Sequence, residues 1–242
     1  MSNIAGILAA YQLAIFSQAK VEDGKVVWDK DRANKINESF PDVPPAEIAS
    51  LKGKEVVILG AGEVGSSAAR MAALMGAEKV TVTDINPEVI AKRKEEFKDL
   101  QQVEFVNPQT QDAEFVATLK QAQGIIAGVY RKGSLAPRLI TEELLKKIGG
   151  AKIMVDVSID QGGNIAGSRA TTHNDPVFLD EYGNIRYCVA NMPALVGYQA
   201  SLALEEVTLP YTLALTKGRR QAVKEYPELL TGINVVDGYL TQ

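Results

Sequence analysis

The sequence predicts an α/β fold, a doubly wound parallel sheet with flanking N- and C-terminal helices, and three observations carry that prediction. Lys54 to Asn86 reads KEVVILGAGEVGSSAARMAALMGAEKVTVTDIN, which is an apolar run, a glycine turn, a small-residue helix and a second apolar run. Short apolar strands then alternate with helical segments as far as Val157, the pattern of parallel crossovers. Apolar helical stretches flank this core on both sides. With 242 residues the chain can hold one large domain or one and a half. The expected division is 1–50 as N-terminal helix and charged connector, 51–193 as a dinucleotide-binding domain, and 194–242 as C-terminal helices and a tail packing on the N-terminal helix.

Ser2 to about Lys20 is expected to be a helix, with Ile4, Ile7, Leu8, Tyr11, Leu13, Ile15 and Phe16 leaving little polar face, as in a helix covered on both sides. It lacks the basic start of a signal peptide and is too short and polar to span a membrane. From Val21 to Ser50 the composition turns charged and broken by Pro41, Pro44 and Pro45, with a hairpin expected around Gly24 and a short helix at Asp31 to Glu38. A helix opens at Pro87, where Asp84 or Asn86 can cap it. A strand at Val103 to Val106, a helix at Phe115 to Ala122 and a strand at Gly124 to Val129 follow, the last breaking at Tyr130-Arg131-Lys132-Gly133. Thr141 starts another helix, and Lys152 to Val157 is a buried strand with Asp156 near its end. Asp160 to Asp175 reads as a polar loop, and Ile185 to Val189 as a strand. Ala194 to Lys217 reads as a long helix that Pro210 should kink or split, and Asn234 to Leu240 as a final strand or hairpin edge.

Hydrophobic content of 46% with 23% charged residues suits a globular chain, and a net charge of −4 argues against nucleic acid or an anionic membrane as the main partner. The single cysteine, Cys188, has no disulfide partner and no zinc-ligand spacing, so no metal site is expected and a reducing, cytoplasmic setting is.

The glycine turn carries the first functional expectation. Gly60 permits the tight turn, Gly62 lets backbone approach a pyrophosphate, and Gly65 lets the helix pack against the strand. The free amides and positive dipole end of that helix then face phosphates. Asp84 follows nineteen residues after Gly65, where a carboxylate accepts hydrogen bonds from both ribose hydroxyls. It would repel a 2′-phosphate, and Ile85, Asn86 and Pro87 offer no arginine to compensate, so NAD is expected over NADP.

Asp160 follows an apolar strand in a glycine-rich loop on the carboxyl side of the sheet, which favours a catalytic role over the alternative of a loop-capping aspartate. Arg131 and Lys132 read as a solvated basic turn, with binding of a substrate carboxylate or cofactor phosphate as the alternative. His173, the single histidine, reads as a structural residue bonded to loop backbone rather than as an acid or base.

The stretches MSNIAG, VVILGAGEVG, TDINPE, LAPRLIT, VDVSIDQGGNI, TTHNDPVF, YCVANMPA and TLPYTLAL resemble, in order and spacing, the alanine dehydrogenase and proton-translocating transhydrogenase family, and more closely its dehydrogenase branch. The resemblance covers nearly the whole chain except Val21 to Ser50. It implies a Rossmann-type NAD-binding domain in which Asp84 binds the adenosine ribose and Gly62, Glu63 and Val64 lie under the pyrophosphate. Val129, Tyr130, Met192 and Pro193 would lie along the cofactor, Ser2 would approach the nicotinamide side, and Asp160 would be the acid beside the reacting carbon. In this alignment Met1 falls well inside the family's enzymes, after the segment that supplies their substrate-binding arginine and lysine and their catalytic histidine. Ala194, Gly197-Tyr198-Gln199 and Tyr130-Arg131-Lys132 depart from the family's usual residues.

Taken together, these features predict an NAD-dependent oxidoreductase moving hydride between the nicotinamide and a small amino acid, keto acid or imine held near Asp160. The alternative is a non-catalytic NAD-binding subunit or module that needs a partner chain to complete a site. A homodimer or larger assembly is expected, its interface formed by apolar terminal helices exposing Ile4, Ile7, Leu8, Tyr11, Ile15 and Phe16.

Overall fold

The structure is a computed structural model that describes residues 1–31, 33–34, 50–108 and 113–241. Helix α1 (Ser2–Phe16) leads into a hairpin of β1 (Lys20–Glu22) and β2 (Lys25–Val27). Its two-residue turn, Asp23 (φ 49°) and Gly24 (φ 71°), has both residues left-handed, the shape that matches strand twist in tight hairpins. The helix expected at Asp31 to Glu38 lies mostly outside the described residues.

The main sheet then builds up by strand and crossover: β3 (Glu55–Leu59), α2 (Glu63–Leu74), β4 (Lys79–Thr83), α3 (Pro87–Glu96), β5 (Val103–Val106), α4 (Ala113–Gln121), β6 (Gly124–Ala127), α5 (Glu142–Ile148) and β7 (Ile153–Asp156). A turn of 3-10 helix, Val157–Gln161, follows β7, and β8 (Val177–Leu179) and β9 (Ile185–Tyr187) complete the sheet. Strand order is β5-β4-β3-β6-β7-β9-β8, parallel throughout except for β8, which pairs antiparallel to β9 at the edge. The doubly wound parallel sheet expected from the sequence is therefore present. The sequence reading missed β8, three residues that pair in the last sheet position after a polar loop.

Period-two alternation divides the core. Val56 and Ile58 of β3, Ile126 of β6 and Ile153 and Val155 of β7 face a layer formed with α1 and α2. Val57, Leu59, Ile125, Ala127 and Met154 face the opposite layer, formed with Phe115 and Leu119 of α4 and Leu144, Leu145 and Ile148 of α5. Helix α1 is the central element of the first layer: residues from Leu8 to Phe16 are buried, and Ile4 and Ile7 pack against the same cluster. The exposed stripe expected on α1 is thus wrong, because its apolar surface is consumed inside the chain. Leu8 is 1% exposed, Tyr11 3% and Phe16 2%, with Phe16 against Trp28 and Tyr187.

Contacts group Met1–Val196 as one compact unit and Gly197–Gln242 as another. Within the second, α6 (Gly197–Thr216) runs unbroken through Pro210, so the expected splitting does not occur. Proline removes one hydrogen bond, and the rest of a 20-residue helix keeps its bonds. Helix α7 (Arg219–Glu225) and a final hairpin of β10 (Val235–Val236) and β11 (Tyr239–Leu240) end the chain, the hairpin at the position the sequence suggested.

Candidate nucleotide site

The strand order reverses at β3, with β4 on one side and β6 on the other, and the carboxyl end of that strand is where open α/β sheets collect ligands. The glycine turn sits there. Gly60 has φ 99°, a left-handed backbone that favours glycine, and a Cβ on Gly65 would lie 1.8 Å from the Gly60 carbonyl oxygen. Those two glycines let α2 start directly over the strand end. Gly62, the residue before α2, differs: a Cβ there would meet nothing within 4 Å, so its backbone faces open space beside the helix N-terminus.

Asp84 stands at the end of β4, and its carboxylate braces the turn. Oδ2 accepts from the Ala61 amide at 2.9 Å and Oδ1 from the Asn86 amide at 2.9 Å. Asn86 is the cap of α3, accepting from the amides of Glu88 and Val89, which settles the choice the sequence left open. Each Asp84 oxygen retains a lone pair for a further donor.

Sequence reasoning missed Arg93. It lies on α3 with its side chain 11% exposed, and reaches back to the glycine turn: Nε donates to the Ala61 carbonyl at 3.0 Å, Nη2 to Glu63 Oε1 at 2.7 Å and Nη1 to Glu96 Oε2 at 2.6 Å. Burial acts against its charge, yet the hydrogen bonds to Glu63 and Glu96 prevail and hold its pKa above the ordinary arginine value. An arginine is therefore close to the turn although none directly follows Asp84. Its signal was the i, i+3 pairing with Glu96, whereas the pairing with Glu63 spans thirty positions and has no local mark.

A cleft of about 360 Å³ lies beside the turn and brings together Ser2, Val64, Asp160, Met192 and Pro193 with Met1, Ala5, Val157 and Asn191. Asp160 is exposed on the 3-10 turn after β7. Its loop is shaped by Asp156, 1% exposed, which accepts from the amides of Asn164 and Ile165 at 3.0 Å each and from Ser168 Oγ at 2.6 Å. The partners of Asp156 are thus all groups of the loop that follows it. Asn164 ties this loop to the next strand end, accepting from the Val129 amide and donating to the carbonyls of Val129 and Pro137. Val129 packs behind Gly60, where a Cβ would come within 2.8 Å of its Cγ2. Tyr130 is 64% exposed, and Arg131 and Lys132 are exposed beyond it.

His173 is not in this cleft. It lines a separate one of about 220 Å³ with Gln12, Trp28, Lys30 and Tyr187. Its expected role of holding the loop falls to other residues: Thr171 Oγ1 donates to the Pro176 carbonyl and Thr172 Oγ1 accepts from the Asp175 amide, while His173 is exposed. Among the described residues no group of three or more His, Cys, Asp or Glu side chains is placed to hold a metal ion, and no helix is long and apolar enough to cross a membrane.

Glycine turn, acid at the end of the second strand and cleft at the topological switch define a dinucleotide-binding domain of the dehydrogenase class. The chain belongs to the alanine dehydrogenase/PNT C-terminal domain family, whose model matches residues 42–242. That domain is the family's NAD(H)-binding domain, and NAD is its cofactor. An alanine dehydrogenase of Methanococcus maripaludis is 37% identical over 243 aligned positions, covering 100% of this chain and 59% of the relative. Alanine dehydrogenase 2 of Staphylococcus aureus is 35% identical with the same coverage. A solved L-alanine dehydrogenase superposes with a TM-score of 0.76 at 30% identity, covering 100% of this chain and 60% of that one. A transhydrogenase from Sinorhizobium meliloti, with a TM-score of 0.59 at 22% identity over 83% of this chain and 51% of that one, shares the fold. The chain spans 59% of the length of these curated relatives.

Proposed function

We propose that the chain is the NAD-binding part of an oxidoreductase that moves hydride between NAD and a small amino acid, keto acid or imine. The observation that carries this reading is the cleft that joins Ser2, Val64, Asp160, Met192 and Pro193 beside the glycine turn. Beside it, the amides at the start of α2 (Gly62, Glu63, Val64) receive the pyrophosphate, and the open space at Gly62 admits the close approach this needs. Asp84 accepts the ribose hydroxyls while still holding Ala61. Val129, Tyr130, Met192 and Pro193 lie along the cofactor, and Ser2 approaches its nicotinamide end. Bound NAD supplies the hydride acceptor. Asp160, exposed toward the same cleft, holds or moves a proton on the substrate and stabilises positive charge there.

One observation favours completion of the site from outside these residues. The described lining of the cleft contains no lysine, arginine or histidine side chain to pair with a substrate carboxylate. A further segment or another subunit supplies that cation, and without it the chain acts as an NAD-binding module. We include a cytoplasmic setting and a homodimer in this proposal. The apolar surface for self-association is on α6, where Leu202, Leu204, Val207, Leu209, Leu213 and Leu215 are exposed, rather than on α1.

The test is Asp160→Asn, assayed for NAD binding by calorimetry and for turnover with a panel of small amino and keto acids. The proposal expects unchanged NAD affinity and turnover reduced by about 10²-fold or more. Turnover unaffected by the substitution would remove Asp160 from the mechanism, and NAD binding without turnover in the unmodified chain would favour the module reading.

A further inference from the structure

We propose that Arg93, Glu63 and Glu96 form a second determinant of cofactor choice, one that sets the preference for NAD over NADP together with Asp84. The inference rests on the assignment of the ribose to Asp84 and deepens it. Asp84 binds the amide and Arg93 the carbonyl of the same residue, Ala61, so the guanidinium is held one residue's backbone away from the hydrogen bond that marks the ribose position. An arginine in that place would ordinarily attract a 2′-phosphate. Here each of its three nitrogens already donates, Nε to the Ala61 carbonyl, Nη2 to Glu63 and Nη1 to Glu96, which uses three of its five N–H groups and pairs its charge with two carboxylates. Arg93 pairs with Glu63 and Glu96, Lys92 Nζ lies 3.7 Å from Glu96 Oε1, and with Asp84 on the other side of Ala61 these two cations and three carboxylates leave a net −1 around the turn. The two glutamates hold the guanidinium in its bonds to the turn and cancel its field, and the surplus negative charge opposes a dianionic phosphate on the ribose. NAD carries a neutral hydroxyl at that position and avoids the opposition. The pyrophosphate is common to both cofactors, so whatever Glu63 does to it cancels in the ratio of their affinities. That ratio isolates the effect.

The experiment measures dissociation constants of NAD and NADP by calorimetry on the full chain, unmodified and with Glu63→Gln, Glu63→Gln/Glu96→Gln, and Glu63→Gln/Glu96→Gln/Arg93→Met, with melting temperatures recorded alongside. The double variant is expected to narrow the NAD to NADP discrimination by about tenfold at low ionic strength, through tighter NADP, and by less at about 0.5 M salt. Adding Arg93→Met should restore most of the lost discrimination, because it removes the cation that the glutamates had masked. Glu63 has an exposed side chain, so its single variant keeps the test available if the double variant folds poorly; it should show the same change at smaller size. A ratio unchanged in the glutamate variants overturns the inference while leaving the NAD site intact, as does a narrowed ratio that persists without Arg93. An unmodified chain that binds neither cofactor removes the site assignment itself, and this inference with it.

Discussion

Asp84 and Arg93 hold the backbone of one residue, Ala61, through its two flanking peptides: the Ala61 amide donates to Asp84 Oδ2 at 2.9 Å, and the Ala61 carbonyl accepts from Arg93 Nε at 3.0 Å. Ala61 is fully buried, so neither of its polar groups has water to fall back on. Asp84→Ala is therefore expected to destabilise the fold, by about 1–3 kcal/mol for an unsatisfied buried amide, in addition to weakening NAD. Asp84→Asn retains an acceptor oxygen and should cost less. Urea unfolding of both variants in the absence of cofactor checks this, and equal stability of all three proteins would show that the Ala61 bond is not needed to hold the turn.

Helix α1 touches the nucleotide turn through Gly6, where a Cβ would lie 2.1 Å from the Val64 carbonyl oxygen. Because that neighbour is backbone at the start of α2, it cannot give way without moving the helix. Gly6→Ala should lower stability by about 1–3 kcal/mol, the usual cost of overpacking, and weaken NAD binding in the same variant. Thermal melts and calorimetry together decide it. A stable variant with normal NAD affinity would mean the two helices separate at little cost.

Cys188 is fully buried, and burial together with the nearby Asp156 pushes its thiol up to about 11. Both access and thiolate fraction are then low at neutral pH. Ellman's reagent should leave the folded protein unlabelled over the time in which it labels the urea-unfolded chain fully, with NAD slowing any residual reaction further. Rapid native labelling would contradict the burial of β9's end.

Lys152 is buried, donates from Nζ to the carbonyls of Lys120 and Ala122, and has its pKa lowered by burial. Below the lowered folded value both states carry the proton and the full burial penalty is present. Between that value and the ordinary lysine value the unfolded chain binds more protons, so stability rises with pH, and above both the penalty is gone. The stability difference between the unmodified protein and Lys152→Met should therefore shift in favour of the unmodified protein as pH rises from 7 toward 10. Denaturant melts across that range give the comparison; a difference independent of pH would mean the lysine titrates normally.

The parts legible in the sequence are those written in local pattern. Val56 to Leu59, the glycine turn and Asp84 are set by alternation, spacing and helix start, and Pro87 after Asn86 marks α3 directly. Arg93 was hidden because its partner Glu63 is thirty positions away and a KRKEE run reads as a solvated helix face. The same reason hid the chain of Asp156, Ser168, Arg186 and Asp180, in which Ser168 Oγ donates to Asp156 and accepts from Arg186, and Arg186 pairs with Asp180. These contacts join residues six to eighteen positions apart across a loop whose path the sequence does not specify. The burial of α1 was readable from its all-round apolar surface, but its partner was not: α1 packs on α2 and crosses β6 at Gly124, where a Cβ would meet Leu13.

The central claim is that the turn from Gly60 to Gly65 and Asp84 form an NAD site that discriminates against NADP. Calorimetric titration of the unmodified chain and of Asp84→Ser with both cofactors tests it most directly. NAD is expected to bind the unmodified chain at least about tenfold more tightly than NADP, and Asp84→Ser to weaken NAD and narrow the gap. Equal affinity for the two cofactors in the unmodified chain, or an NAD affinity that does not change on losing the Asp84 carboxylate, would contradict it.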